Sequence, residues 1–416
     1  MVMNLGRAMV RIGAVGMVSL AAVWASGQPG GGERAEPAAT DEAFRASLLD
    51  DAAARESLVR RDLSDDPRIN VGGVIQSRFN INIRQQDAAR SVDDFESGFL
   101  QRRTRFKLNG KLRLGDAEAT VPWQIQTDAS RSSGDLFLLD AWSGYEHGPW
   151  RIRVGQFVPP LTRESLVSNT RRMAVEVSPV TGAFSTVGGG GRTQGIEARY
   201  RQGDWTHWVM VSDGDGGGNR DFQDDEGDVG VYVRTERKIG EESWRRFADF
   251  TSKRGSATAV LLGAAGLVTV GEADEDGDGL QRESFYELTG TADVTVEGDG
   301  WSAFLSSSIM HRSAQGVDDI NMFGVSGHVA RYVTDDLELF SQYSFIAGED
   351  EAGELSTIVA GFNRYFVGHT IKLTADTLYS FNEITEEYAS GSRALLRDAP
   401  GEDGQVVIRA QFQLLF

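Results

Sequence analysis

The last residues of the chain alternate strictly between apolar and polar side chains. In the segment QVVIRAQFQLLF, which begins at Gln405, every second side chain falls on the same face of an extended chain. The apolar face carries Ile408, Ala410, Phe412, Leu414 and Phe416, and the polar face carries Gln405, Arg409, Gln411 and Gln413. This period of two predicts a strand with one apolar side and one wet side. A final strand that ends on an aromatic residue is typical of a transmembrane β-barrel, although the last strand of an ordinary sheet can carry the same pattern.

The same alternation begins at residue 70. The first strand has Val71, Ile75, Phe79, Ile81 and Ile83 on one face and Gln76, Arg78, Asn80, Asn82 and Arg84 on the other. The second strand, over residues 99–114, is predicted to place Leu100 on the apolar face and Gln101 on the basic face. Both strands exceed the roughly ten residues that a tilted strand needs to cross a bilayer. They therefore favour a membrane barrel over a soluble sandwich, whose strands are shorter.

The connections between strands alternate in length. Short turns are predicted at 115–116, 147–149, 202–204, 298–300, 334–336 and near 368, and long loops at 129–135, 158–191, 213–227, 312–320, 346–354 and 382–404. An even number of strands, with short turns at one end and long loops at the other, is the pattern of outer-membrane barrels. We predict an all-β fold, a transmembrane antiparallel β-barrel of about 16 strands over residues 68–416, wide enough for an aqueous lumen. The pattern leaves the strand boundaries in 238–270 open.

Three segments precede the predicted barrel. Residues 1–25 have the form of a signal peptide, in which two arginines precede an apolar run and small residues suit cleavage. Residues 26–39 are rich in glycine and proline and predict a flexible linker. Residues 40–66 predict a short periplasmic helix, with Thr40 as its N-cap and Pro67 as its stop. This helix is either a solvated spacer or a segment that associates with itself or with the cell wall.

Composition excludes several classes of function. The chain has no cysteine and a formal net charge of −19, which argues against disulfides, thiolate metal sites and nucleic-acid partners. None of its five histidines stands in a nucleophile or metal spacing, so we predict neither an enzyme nor a cofactor. Asp274, Asp276 and Asp278 resemble the start of a calcium loop. Because Phe285 stands where the bidentate glutamate should be, we prefer a solvated acidic loop to a metal site.

The polar faces of the early strands are basic. The candidates for an anion pathway through the lumen are Arg78, Arg103, Arg105, Lys107, Lys111, Arg113, Arg151, Arg153, Arg199 and Arg201. The long loop at 158–191 is expected to fold into the lumen, with Arg163, Arg171 and Arg172 as constriction candidates. Basic side chains lining a pore favour anions because they offset the lost hydration of the ion. The alternative is that these arginines simply pair with glutamates and aspartates of the lumen wall, and the later strands provide such acids in Glu283, Glu287 and Asp293.

Two basic segments are distinctive. The first is RRTRFKLNG at 102–110, and the second is RIRVGQF at 151–157, followed by Pro160 and Glu164. Together with weaker matches (DAW at 140–142, GFNRY at 361–365 and the final strand), they resemble the phosphate-selective porin O/P family of outer-membrane barrels. The resemblance implies a 16-stranded, usually trimeric porin that passes anions, with phosphate or polyphosphate as substrates.

The chain departs from the family pattern at two points. Glu176-Val177-Ser178 stands where the family often has an Arg-Ser pair, and Asp213-Gly214 stands where it has Asn-Gly. The resemblance therefore supports the fold more strongly than the ligand.

The prediction from the sequence is an exported porin of the cell outer membrane. It would form a water-filled channel for the passive diffusion of small anions, phosphate among them, as a homotrimer surrounded by outer-membrane lipid. Two alternatives stay open. One is a general porin without selectivity, and the other is an envelope structural protein that is tethered through the helix at 40–66.

Overall fold

The computed structural model describes residues 68–85, 94–114, 118–129, 133–185, 191–214, 219, 229–240, 242–273, 283–314, 319–348 and 353–416. The predicted signal peptide, linker and helix, residues 1–66, lie outside these residues. Within the described ranges, no helix is long and apolar enough to cross a membrane.

Sixteen antiparallel strands form a closed barrel in which each strand pairs with the next and β16 pairs with β1. The strands are β1 (Arg68–Ile83), β2 (Phe95–Arg113), β3 (Thr120–Ala129), β4 (Leu136–His147), β5 (Trp150–Phe157), β6 (Thr193–Gln202), β7 (Trp205–Ser212), β8 (Val229–Ile239), β9 (Ala259–Ala273), β10 (Glu283–Gly298), β11 (Trp301–Ala314), β12 (Ile320–Tyr332), β13 (Leu337–Gly348), β14 (Glu354–Val367), β15 (Ile371–Ser380) and β16 (Val406–Leu415). This confirms the predicted fold class and strand number. Closure leaves no unpaired sheet edge, which is what a bilayer requires.

The final strand closes the barrel against the first. Arg78 stands opposite Gln411 in the register of β1 and β16. Beyond the paired region, the Gly73 N–H donates to the Phe416 carbonyl oxygen at 2.7 Å. A Cβ at Gly73 would lie 2.3 Å from Cζ of the Phe416 ring, so the closing contact depends on a residue without a side chain.

The outer surface carries an apolar band between two sets of aromatic side chains. Exposed aliphatic and aromatic residues of the band include Val71, Leu108, Ile125, Val154, Val209, Val233, Val268, Leu288, Ile309, Val329, Leu339, Ile358 and Phe412. Aromatic residues at one edge include Tyr145, Trp150, Trp205, Trp301, Phe366 and Phe416, and those at the other include Phe95, Phe99, Phe137, Tyr286, Tyr343, Tyr379 and Phe381. This arrangement is the one that a lipid bilayer imposes on a barrel.

A β-bulge in β2 corrects one detail of the predicted alternation. Gln76 of β1 pairs with Arg103 and the next residue, Ser77, pairs with Gln101, so Arg102 is the extra residue. An extra residue reverses the inward and outward faces of the strand beyond it. Leu100 therefore lines the lumen and Gln101 is exposed outside, opposite to the faces predicted for them.

The two ends of the barrel differ. We call the end that holds the start of β1 and the short turns the turn end, and the opposite end the loop end. The region left open by the sequence, 238–270, contains one long connection at the turn end. This β8–β9 turn, residues 240–258, includes a 3-10 helix at Trp244–Ala248.

Three connections fold into the interior and pack there. They are the β5–β6 loop (158–192), the β8–β9 turn and the β15–β16 loop (381–405). Their buried apolar residues include Val180, Phe184, Phe250, Tyr388 and Leu395, and these meet inward-facing Phe304, Ala330, Phe340, Leu355, Val359, Leu378 and Val407 of β11–β16. The cluster fills the half of the interior beside β11–β16 and leaves the half beside β2–β8 open.

Candidate anion pathway through the barrel

The open half of the interior is a cavity of about 1640 Å³. Its lining includes Ser392 of the β15–β16 loop and Arg245 of the β8–β9 turn, so it draws on elements from both ends of the barrel. Strands β2–β8 form one side and the β5–β6 loop forms the other. The volume exceeds that of a typical small-molecule pocket, which is roughly 300–1,000 Å³.

The lining of this cavity is strongly basic. Among the described residues, thirteen basic and four acidic ones line it, although the whole chain has a net charge of −19. The basic residues are Arg102, Arg103, Arg105, Lys107, Arg151, Arg153, Arg163, Arg171, Arg172, Arg192, Arg199, Arg201 and Arg245. The charge of the cavity is therefore opposite to that of the molecule.

All four acids of the lining are engaged by arginines. Asp128 pairs with Arg105 at 2.8 Å, Asp140 with Arg192 at 2.8 Å, Glu236 with Arg234 at 2.9 Å, and Glu176 with Arg78, Arg102 and Arg103. By contrast, Lys107, Arg199 and Arg245 form no ion pair within the described part of the chain. Their positive charge is left for the contents of the cavity.

The basic wall follows from the strand registers. Arg103, Arg105 and Lys107 lie on one face of β2 because side chains repeat every second residue. On the neighbouring sheet region, Arg151 of β5 stands directly opposite Arg199 of β6. Like charges in such pairs repel one another, so the pair is held in place by the surrounding fold.

Several arginines in this wall retain unused donors. The Nε atoms of Arg103, Arg151, Arg172 and Arg199 are buried and have no hydrogen-bond partner among the described residues. Buried polar groups are nearly always hydrogen-bonded, and exceptions often mark a place for water or an ion. The cavity wall thus contains N–H groups that the described part of the protein does not use.

Ion pairs of Glu176 hold the β5–β6 loop against the barrel wall. The Glu176 carboxylate accepts from Arg78 at 2.5 Å, from Arg103 at 2.9 Å and from Arg102. Burial would by itself raise the pKa of Glu176, but the three guanidinium groups outweigh burial and hold this pKa well below its usual value. The carboxylate is thus charged at neutral pH and fixes the loop against β1 and β2.

A second carboxylate shapes the loop internally. Glu164 lies in the short helix α1 (Arg163–Leu166) and accepts from the Ser178 and Thr181 hydroxyls, each at 2.5 Å. Ser178 caps a second short helix, α2 (Pro179–Phe184). Burial lowers the pKa of Arg172 to about 10, although Glu164 and Glu176 nearby raise it, so this loop arginine stays charged at neutral pH.

Glycine is required where β5 leads into the loop. Gly155 has φ +129°, and a Cβ there would lie 2.1 Å from the Ala141 carbonyl oxygen. Two residues later, the Phe157 ring lies 3.8 Å from the Arg153 guanidinium carbon, which orients this arginine toward Glu197 at 2.7 Å. The RIRVGQF motif thus builds both the close strand contact and the start of the loop.

The β8–β9 turn holds the loop from the turn end. Arg163 donates to the Phe247 carbonyl oxygen, and Arg171 lies 3.5 Å from the Asp249 carboxylate. Asp249 also lies 3.3 Å from His369 in the β14–β15 turn. The β5–β6 loop, which starts from the loop end, therefore reaches residues of the β8–β9 turn, and this turn also contacts the β14–β15 turn.

The structure brings most of the predicted site residues together. Arg103, Arg105, Lys107, Arg151, Arg153, Arg199 and Arg201, with the loop residues Arg163, Arg171 and Arg172, line the same cavity. Three candidates lie elsewhere. Arg78 is buried behind the loop beneath Glu176, because the β5–β6 and β15–β16 loops cover it. Lys111 and Arg113 are exposed near the turn end and do not line the cavity.

Among the described residues, the alternative of pairing with acids of the lumen holds for several candidates, because Arg105 pairs with Asp128 and both Arg151 and Arg153 pair with Glu197. The acids of later strands have other partners. Asp293 pairs with Arg234 at 2.8 Å, and Glu287 accepts from the Thr289 hydroxyl. The Glu283 side chain lies outside the described part of the structure. The sequence also missed Arg102, Arg192 and Arg245 as cavity residues. Arg102 was missed because strict alternation assigns it to the face opposite Arg103, whereas the bulge brings both to the cavity.

The candidate calcium ligands Asp274, Asp276 and Asp278 lie outside the described residues. Within the described ranges, no group of histidine, aspartate and glutamate side chains is arranged to hold a metal ion. The binding groups that the described part of the site offers to an anion are its arginines.

A closed 16-stranded barrel with an apolar outer band, aromatic edges and a polar cavity is an outer-membrane β-barrel of the porin type. A family model described as phosphate-selective porin O and P matches residues 72–236. Both motif segments, 102–110 and 151–157, fall inside this match, which confirms the resemblance predicted from them.

Comparisons with individual proteins agree on the fold. An uncharacterized protein of Caulobacter vibrioides is 28% identical over 130 residues, which cover 31% of this chain and 24% of that protein. The match thus spans about a quarter of that relative. An anion-selective porin from Comamonas acidovorans has a TM-score of 0.59 at 11% identity, covering 84% of this chain and 100% of that one. OmpT of Vibrio cholerae, in a trimer form, has a TM-score of 0.57 at 12% identity, covering 84% and 100%.

Proposed function

We propose that this protein is an outer-membrane channel through which small anions, phosphate among them, diffuse passively. The observation that carries the proposal is the basic cavity: in the described part of the chain its four acids are all paired, whereas Lys107, Arg199 and Arg245 form no ion pair. Rings of lysine and arginine are the means by which pores favour anions. The matched family description, phosphate-selective porin O and P, and the anion-selective title of one structural neighbour support the same function.

In this proposal the protein is a channel rather than an enzyme, and it selects anions by electrostatic attraction. Cavity walls of protein screen charge less than bulk water does, so unpaired guanidinium groups raise the local concentration of anions. Arginine also matches phosphate geometry through paired N–H donors. The guanidinium groups of Arg151 and Arg199 lie in the cavity wall, where such donors can meet an anion.

The test is the reversal potential of single channels in a planar bilayer under a potassium chloride gradient. We expect chloride to be preferred over potassium, and the triple variant Lys107→Gln, Arg199→Gln, Arg245→Gln to lose most of that preference. The control is Arg237→Gln, because Arg237 faces outward and stacks on Trp205 at 5.2 Å. An unselective or cation-selective wild-type channel would refute the proposal and leave a general porin.

Phosphate is tested separately in the same bilayers. We expect added phosphate to reduce the chloride current of the wild type, and the triple variant to need a higher phosphate concentration for the same reduction. A chloride current that is indifferent to phosphate would remove phosphate from the proposal and leave small anions in general.

The proposal includes a homotrimer. A trimer form of one structural neighbour, OmpT of Vibrio cholerae, supports it, as does the family resemblance. Chemical cross-linking of the folded protein in detergent should give a band at three times the mass of the chain. A monomer as the largest product would remove this part of the proposal without affecting the channel.

A further inference from the structure

Aromatic side chains surround Arg199, which forms no ion pair within the described residues, near the turn end of the cavity. Trp208 of β7 stands opposite Arg199 in the register of β6 and β7 and lines the cavity. Trp244 of the β8–β9 turn also lines the cavity, and the Arg201 guanidinium carbon lies 4.7 Å from the centre of its ring. Phe247 of the same turn completes the group. Trp244 and Phe247 also pack with Ala259 and Leu261 of β9, so they join the turn to the barrel wall as well as lining the cavity.

The positions of these aromatic side chains are fixed by the fold. The Trp244 Nε1 donates to the Gly203 carbonyl oxygen at 3.1 Å, which locks the indole against the β6–β7 turn. Trp208 is 8% exposed, so its ring is held by neighbours and only an edge or face of it reaches the cavity. Rigid rings beside a fixed cation form a surface that can bind both parts of an amphipathic anion.

The acids near this group are already occupied. Glu197 pairs with Arg153 at 2.7 Å, Glu146 pairs with Lys111 at 2.6 Å, and Glu236 pairs with Arg234 at 2.9 Å. Arg199 forms no ion pair within the described residues, and its Nε is buried without a partner. Its guanidinium is therefore free to take a carboxylate through two N–H donors.

We propose that the turn-end part of the cavity, formed by Arg199, Trp208, Trp244 and Phe247, is a binding site for small aromatic carboxylates. The inference rests on the proposed function as an anion channel and names a class of substrate for it. The carboxylate pairs with Arg199, and the ring of the ligand packs on the indoles of Trp208 and Trp244. A small inorganic anion uses only the first of these interactions.

The test compares benzoate with cyclohexanecarboxylate, which has the same charge and a similar ring size but no π system. Each acid is titrated into a planar bilayer that holds single wild-type channels in potassium chloride, and the concentration that halves the chloride current is recorded. We expect benzoate to reach half block at a concentration about threefold lower, since aromatic contacts in such sites contribute modest preferences. Equal half-block concentrations in the wild type would overturn the proposal.

Two variants separate the ring contact from the charge contact. Trp208→Leu should remove the preference for benzoate while leaving chloride selectivity in place. Arg199→Gln should raise the half-block concentration of both acids by about tenfold, the usual size of a hydrogen bond to a charged group. A preference for benzoate that survives Trp208→Leu would also overturn the proposal.

The outer face of the barrel offers a matched control. Trp205 and Arg237 form the same kind of pair at the same end of the barrel, with 5.2 Å between the guanidinium carbon and the ring centre, but they face outward. Trp205→Leu and Arg237→Gln should leave both half-block concentrations unchanged. If a lumen variant fails to insert, the comparison of the two acids on the wild type still decides. Failure of the channel function itself would appear differently, as a wild-type channel without chloride selectivity.

Discussion

Removal of the Glu176 charge is the sharpest test of how the β5–β6 loop is held. The Glu176 side chain is 4% exposed, and its partners Arg78 and Arg103 are 0% and 3% exposed. Removing one partner from a buried ion pair destabilises a structure by about 3–5 kcal/mol. Because Arg102, the third partner, is 14% exposed to the water of the cavity, the lower value applies.

The expected effect of Glu176→Gln is therefore about 3 kcal/mol on loop docking, which raises the ratio of undocked to docked loop about 150-fold. The apolar contacts of Val180 and Phe184 remain, so the barrel itself should stay folded. The substitution also removes one of only four acids from a lining with thirteen basic residues. Chloride should thus be preferred more strongly over potassium, and the open-channel current should become noisier.

The assay is single-channel recording in a planar bilayer, with reversal potential and current noise measured on the same channels. Glu386→Gln is the control, because Glu386 lies in the β15–β16 loop with 77% of its side chain exposed and pairs with Arg397 of the same loop. If Glu176→Gln leaves both noise and reversal potential at their wild-type values, the ion pairs of Glu176 do not hold the loop.

Three further predictions test the pH dependence of the channel noise, the packing of the β5–β6 loop on β12, and the contact between Gly73 and Phe416. Because its arginines hold the pKa of Glu176 well below the ordinary 4.5, the stabilisation from this group is complete above that value and is lost only as the pH falls through the lower folded-state pKa. Channel noise should therefore be the same at neutral pH and at about pH 5, and should rise only in stronger acid. A Cβ at Gly324 of β12 would lie 2.7 Å from Phe184 Cε2, so Gly324→Val should displace the loop at a cost of about 1–3 kcal/mol and raise single-channel noise. Gly73→Ala should lower the urea midpoint of unfolding in detergent, and it should do so much less in a Phe416→Ala background, because the ring that the new methyl group meets is then absent.

Each of these predictions has a contrary outcome. A rise in noise between neutral pH and about pH 5 would show that another group, with a less depressed pKa, holds the loop. The control for Gly324→Val is Gly266→Val, since a Cβ at Gly266 would lie 3.8 Å from its nearest atoms. Equal noise in the two glycine variants would contradict the docking of Phe184 on Gly324. Additive effects of Gly73→Ala and Phe416→Ala would contradict the closing contact.

Much of the barrel could be predicted because a strand in a membrane has a simple pattern. Lipid on one side and water on the other force alternation on residues such as Phe412 and Gln411, and closure forces an even number of strands joined by short and long connections in turn. The pattern failed at Arg102 because a bulge is a local choice of backbone. Both registers of the strand keep some polar residues inside, so alternation alone does not show where the extra residue lies.

The division of the lumen could not be read from alternation. Phe340 shares the inward face of β13 with Glu338 and Gln342, and a period of two cannot show that Phe340 meets the apolar side chains of a loop. The β8–β9 turn was hidden for a similar reason. Its aromatic residues, Trp244, Phe247 and Phe250, are a local sign that it folds inward, but the partners of Phe250, such as Phe304, lie far away in the sequence.

The contacts that hold the β5–β6 loop against β15 also have a consequence for the order of events during folding. The Val175 N–H donates to the Asp376 carboxylate at 3.2 Å, across 201 positions of the chain, and Lys372 donates to the Arg172 carbonyl oxygen at 2.9 Å. Contacts of such long range form late, because the entropy of closing a large loop must be overcome before they can stabilise anything. The loop is made early, but β15, which supplies these partners, is among the last strands to be synthesised. A chain that stopped before β15 would carry every residue of the basic wall and would still lack these two hydrogen bonds to the β5–β6 loop.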